Sequence, residues 1–308
     1  MVLNIGIFPF WGNVSTYDTE TETFSKFDIT PVKEEDSRNA DSMFKEIISK
    51  VDKPVGCVCI SLGYSYLNDI RKNFIKSANQ SGIEKIKIIS GKQARFIGML
   101  EKSGIRPVES EVIWIIAVWE NNIICDVWQK VGNSCVYKVN YGQSKTNEGK
   151  AASPTSEDFQ KLFEKIGLDK QPSIIFAEGY IDEAEIAKVF PACKISVLKE
   201  TKHEWTEYAL IMARIMDGDN RVIECNADGV LQRTIELVFK DESLIKVEEF
   251  QPLPYQKVIS VTTDESDEST LDIFERYNLV DEIELPSNTE VNVEFNIDAN
   301  GIFSYKLL

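Results

Sequence analysis

Apolar positions along the chain follow two rhythms. Strand-length, largely apolar runs occur at Val2–Ile7, Val55–Leu62, Ile86–Ile89, Val112–Trp119, Ile123–Trp128, Ser134–Val139 and Ile174–Ala177. Runs with little alternation suit strands covered on both faces. Between them stand helical stripes. Met43, Phe44, Ile47, Ile48 and Val51 predict a helix over Ala40–Val51, stopped by Pro54. Ile70, Phe74 and Ala78 predict another, capped by Asn68-Asp69 and ended by Gly82. Phe159, Leu162, Phe163 and Ile166 mark a third, and Trp205, Tyr208, Ala209, Met212 and Met216 a last one. Spacings of three and four residues place each set on one helix face. Val14–Tyr17 and Thr23–Phe27 extend the first strand as a meander, turning at Gly12-Asn13.

Beyond Arg221 the rhythm changes. Val230–Phe239, Gln256–Thr262, Val291–Ile297 and Ile302–Leu307 read as short strands between acidic or proline-containing turns, with no helical stripe. The chain therefore divides into an α/β unit over residues 1–220 and an all-β unit, a small β-sandwich, over 221–308. Lys145–Pro154 is polar and reads as a loop or linker, and no solenoid repeat is visible.

Composition narrows the chemistry. With 34 Lys plus Arg against 50 Asp plus Glu, the formal charge is −16. Such a chain is repelled by phosphate backbones, so direct nucleic-acid binding is not expected. Cys57, Cys59, Cys125, Cys135, Cys193 and Cys225 form no CxxC pair, and His203 is the one histidine. Buried reduced thiols follow, with no metal site and a cytoplasmic location. The longest wholly apolar run, Val112–Trp119, is far too short to span a bilayer, and the apolar N-terminus lacks the basic region of a signal peptide. His203-Glu204 reads as a solvated helix start, and Asp264-Glu265-Ser266-Asp267-Glu268 as a solvated turn without EF-hand spacing.

Several segments, in order, resemble the DnaK-type heat-shock 70 chaperones. The most specific is Phe295 to Ile302, FNIDANGI, against the family's FDIDANGIL. Val291, Val293, Phe295 and Ile297 alternate inward, Asp298–Gly301 turns the chain, and Gly301 supplies the φ > 0 position. Ile60 to Leu100 lies without gaps on a second family segment, matching at Ile60, Arg71, Gly82, Ile89 and Ala94. There Gly63 replaces a family proline, and Gly91-Lys92 a Glu-Pro.

The remaining matches fall on the family's nucleotide loops. Ile5-Gly6-Ile7 is similar to the start of the first phosphate loop, but Phe8 stands at its metal-facing Asp, and Phe10, Trp11 and Gly12 at its Gly-Thr-Thr. The second phosphate loop falls on Trp119–Trp128, with Trp119 at its Asp and Glu120, Asn121 and Asn122 near its lost glycines. The adenosine loop falls on Ala177–Ile186, where Glu178 adds charge, Gly179 survives, and Asp182 stands at the base-stacking Arg.

A phosphate loop needs glycines so that backbone N–H groups reach the anion, and carboxylates to hold Mg²⁺. The resemblance therefore implies a trimmed actin-like ATPase fold followed by a β-domain without a lid, and no catalysis, cofactor, ATP binding or metal. It implies a scaffold or regulator similar to the ribosome-associated-complex (zuotin-bound) type, with a J-domain co-chaperone as partner and the ribosome reached through that partner. Val222–Ala227 adds a short local match. The alternatives are a free peptide-holding module and an ATP-binding actin-like enzyme with unusual loops.

Overall fold

The computed structural model describes residues 2–308 apart from 34–38, 64, 120–121, 146–152, 168–169, 199–203, 223–225, 228 and 266–269. The Lys145–Pro154 segment, His203 and much of the acidic 264–268 turn thus fall largely outside the described residues.

Two lobes share one construction. The first runs β1 (Leu3–Phe8), β2 (Asn13–Asp18), β3 (Thr23–Asp28), α1 (Ala40–Lys50), β4 (Val55–Leu62), α2 (Asn68–Gln80), β5 (Lys85–Ser90) and α3 (Gly91–Ser103). The second runs β6 (Val112–Trp119), β7 (Asn122–Val131), β8 (Ser134–Ser144), α4 (Ser156–Ile166), β9 (Ile174–Glu178), α5 (Glu183–Val189), β10 (Lys194–Leu198) and α6 (Glu204–Met216). The first sheet has the order β3-β2-β1-β4-β5, and the second repeats it as β8-β7-β6-β9-β10. In each, an antiparallel meander is followed by two parallel strands. This duplicated lobe is the actin-like fold. The repeating core of both lobes is present.

Strand alternation sorts side chains between the layers. Cys57, Cys59, Ile113, Ile115, Ile174 and Phe176 point inward, onto α3 and α6. Val58 and Ile60 point outward onto Met43, Phe44 and Ile47 of α1 and Phe74 of α2. Trp114, Ile116 and Ile175 point outward onto Phe159 and Leu162 of α4 and Ile186 of α5. Burial pushes the Cys57 and Cys59 thiols up, which suits inert core positions.

Two glycines set the central packing. A Cβ on Gly6 would stand 2.2 Å from the Thr206 carbonyl oxygen, so only glycine lets α6 lie on β1. Gly98 admits the buried Tyr208 ring, whose Cδ1 would be 1.7 Å from a Cβ there.

The turn after α6 carries a charge knot. Asp219 accepts from Arg214 Nε at 2.9 Å and Arg221 Nε at 2.8 Å. Burial alone would raise this carboxyl, but the two arginines outweigh it and hold it at about 2, below the ordinary 3.8. Its stabilisation is thus complete above about pH 3.8 and lost as pH falls toward about 2. Asp219→Asn is expected to remove on the order of 2 kcal/mol at neutral pH and to flatten the acid limb of stability in that window, read by denaturation at stepped pH.

After β11 (Asn226–Ala227), which adds to the second sheet beside β8, the chain is all β. The strands are β12 (Ile235–Phe239), β13 (Glu242–Val247), β14 (Tyr255–Thr262), β15 (Thr270–Glu275), β16 (Asn278–Glu284), β17 (Glu290–Ile297) and β18 (Phe303–Leu307). They form sheets β13-β12-β15-β16 and β14-β17-β18, which enclose one core that includes Val291, Val293, Phe295 and Ile297. The run Val230–Phe239 is strand only from Ile235, while Val230 makes an isolated bridge to Pro252. The β17–β18 turn closes through Gly301 N–H to the Asp298 carbonyl at 3.0 Å, with Gly301 at φ +71.

That turn is seated on the first lobe. Arg71 Nη1 donates to the Asn300 carbonyl and the Ile88 N–H to Asn300 Oδ1, each at 2.9 Å. Asn68, expected as a helix cap, does something else: Leu67 is the N-cap, and the Asn68 amide pairs with the Phe303 backbone N–H and carbonyl. A long-range partner won over the local one.

Candidate functional site

The strand ends of both lobes open onto one cleft of about 410 Å³, lined by Phe8, Phe10, Trp11, Gly63, Tyr66, Arg95, Val118, Glu178, Gly179 and Trp205 among others. Its first wall follows from local chain chemistry. β1 ends at Phe8, Pro9 starts a single 3₁₀ turn whose missing N–H is harmless there, and Gly12 closes it at φ +66. A Cβ on Gly12 would be 2.2 Å from the Ile29 carbonyl oxygen, so the tight turn requires glycine. The turn pushes Phe10 and Trp11 toward solvent, at 41% and 52% exposure.

Rings then form much of its lining. Phe8 stacks on Trp205 with centroids 5.9 Å apart and meets Trp11 edge-on at 5.3 Å. Arg95, on α3, reaches across to Glu178 at the end of β9, with Nε 3.2 Å from a carboxylate oxygen, and lies over the Trp205 ring at 5.1 Å. Glu178 is buried. A paired, largely desolvated cation and anion leave a floor with little net charge, walled by aromatic faces.

Phe8, Phe10, Trp11, Glu178 and Gly179 therefore come together, although they were drawn from separate loops. Gly179 sits at φ +96, with the Val118 carbonyl oxygen 3.5 Å from a Cβ there. Trp119 pairs with Asn122 across the β6–β7 hairpin, the counterpart of the Phe8 and Asn13 pairing in the first lobe. Asn122 is exposed, with its Oδ1 near Ser144 Oγ at 3.4 Å. The Trp119 side chain and Asn121 lie outside the described residues. Asp182 is exposed and caps α5, accepting from the Ala184 N–H at 2.9 Å.

Arg95, Tyr66 and Trp205 are among the cleft residues that sequence reasoning missed. Arg95 had one signal, a lone cation between Ala94 and Phe96 on a helix rich in apolar residues. Trp205 reads as one more member of a core stripe. Among the described residues, no group of three or more His, Cys, Asp or Glu is placed to hold a metal ion.

No family model and no curated protein matches the chain. Solved structures do. A Bacteroides thetaiotaomicron protein with an actin-like ATPase fold and unknown function aligns at 9% identity and TM-score 0.32, over 64% of this chain and 90% of that one. The ethanolamine utilization protein EutJ from Carboxydothermus hydrogenoformans aligns at 9% identity and TM-score 0.36, over 68% and 88%. The Aquifex aeolicus PPX-GPPA enzyme aligns at 12% identity and TM-score 0.30, over 58% and 67%. The fold assignment rests on the duplicated strand order. No helix among the described residues is long and apolar enough to cross a membrane.

Proposed function

We propose that this chain is a non-catalytic binding protein of DnaK-type ancestry, a scaffold or regulator in a chaperone complex. One observation carries the reading: Phe8, Trp11 and Trp205, with the Arg95–Glu178 pair, line the part of the cleft where the resemblance would seat a triphosphate and its metal. A polyanion placed there meets ring faces and one cation that is already paired. The loss of even one electrostatic partner of a transition state costs about 3 kcal/mol, and here several positions are changed together.

The same ancestry motivates the finer parts of the proposal. The division falls near residue 220, with an actin-like unit before it and a β-sandwich after it, β11 (Asn226–Ala227) alone reaching back to the second sheet. A J-domain protein is the partner, the ribosome is reached through that partner, and the setting is cytoplasmic. Affinity purification of the full chain from its own cells is expected to recover a J-domain protein. Recovery of neither a J-domain protein nor ribosomes contradicts this part of the proposal.

A further inference from the structure

Where the β17–β18 turn meets the first lobe, charges are buried in unequal number. Arg71 is 3% exposed, Arg233 2% and Glu275 0%. Both carboxylate oxygens are used, Oε1 accepting from Arg233 Nε and Oε2 from the Asn68 backbone N–H. Arg71 gives Nε to the Tyr66 carbonyl and Nη1 to the Asn300 carbonyl, and Arg233 gives Nη2 to the Gly301 carbonyl. Arg233 Nη1 is buried without a hydrogen-bond partner. Two guanidiniums thus share one buried carboxylate. The next carboxylate, Asp298, is exposed, and its Oδ1 already accepts from the Asn300 and Ile302 N–H groups. Solvent screens its field.

Free space lies at the same spot. A Cβ on Gly301 would stand 3.4 Å from Arg71 Nη1 and 3.5 Å from Arg233 Nη1, so both guanidiniums face the open side of this glycine. The cavity there, lined also by Ser90, Gln93 and Leu253, has about 10 Å³ free at its centre. That admits one water-sized particle and nothing with several heavy atoms. A water would satisfy the orphan N–H and leave the excess positive charge uncompensated. A monatomic anion answers both needs.

We propose that a single chloride-sized anion binds over Gly301 between Arg71 and Arg233, and fastens the β-sandwich to the first lobe. Burial, and then repulsion from Arg233, push the Arg71 guanidinium well below its ordinary range, and an anion at this point relieves both. Phosphate, sulfate and carboxylates are excluded by size.

The test follows thermal unfolding of the full chain in mixtures of potassium chloride and potassium gluconate at fixed ionic strength. Replacing gluconate by chloride is expected to raise Tm by roughly 3–6 °C across a hundredfold chloride range, the signature of one ligand bound by the folded state. Gly301→Ala puts a methyl group between the two guanidiniums, within clashing distance of an anion held beyond it, and is expected to erase that dependence. Should this variant fail to fold, bromide-soaked crystals of the native chain serve instead, with an anomalous peak expected within contact distance of both guanidiniums. Equal Tm in the two salts, or a cavity holding water and no bromide, overturns the proposal.

Discussion

Replacing Glu275 by alanine is expected to destabilise the β-sandwich and its seat on the first lobe by roughly 3–5 kcal/mol. The carboxylate is fully buried, holds Arg233, and accepts the Asn68 N–H at 3.0 Å at the start of α2. Its removal strands a desolvated guanidinium and a backbone donor together. An exposed ion pair would be worth no more than about 1 kcal/mol, so the size of the loss separates the two descriptions. Burying charges is itself costly, so the double variant Glu275→Leu/Arg233→Leu is expected to recover a large part of the deficit. Denaturant titrations of the three variants beside the native chain measure it. A single variant that loses less than about 1 kcal/mol contradicts the arrangement.

The second large effect concerns the helix crossing at the centre of the molecule. Glycine to alanine in a helix interior ordinarily stabilises by about 1 kcal/mol. At Gly98 the added methyl meets Cδ1 and Cε1 of Tyr208 at 1.7 and 2.1 Å. Tyr208 has no exposed surface and packs in the core shared by both sheets, so the ring cannot swing away. Overpacking of this kind costs about 1–3 kcal/mol and outweighs the propensity gain. Gly98→Ala is expected to lower the thermal midpoint, and Gly98→Leu to yield no cooperatively folded protein. A neutral or stabilised Gly98→Ala chain would mean that α3 and α6 do not cross as described.

Much of the fold is legible in the apolar rhythm, where burial contrast is strong. Val55–Leu62 and Val112–Trp119 are strands over their full predicted spans, because both faces of each are covered. The helix α5 and the strand β10 leave little trace, since α5 buries only Ile186 and β10 is partly exposed throughout. The strand β16, Asn278–Glu284, is mostly polar for a similar reason, being an edge strand with one buried residue, Ile283. The lobe duplication is invisible residue by residue because the lobes share an order of elements and not a pattern of identities.

The cleft divides in the same way. Phe8, Phe10, Trp11, Glu178 and Gly179 could be named because each falls on a short segment that resembles one of the family's nucleotide loops. Arg95 and Trp205 could not, since they meet only where α3 and α6 bring the two lobes together. Asn68 shows how local reasoning fails. Asparagine at a helix start suggests a cap, yet its amide serves Phe303, 235 positions away.

The most direct test is titration calorimetry of the full chain with Mg·ATP. A cleft walled by Phe8, Trp11 and Trp205, with its Arg95 already paired to Glu178, is expected to give no saturable heat up to millimolar nucleotide. A 1:1 isotherm with a micromolar Kd, abolished by Arg95→Ala, would contradict the proposal and restore a nucleotide-binding role to the cleft.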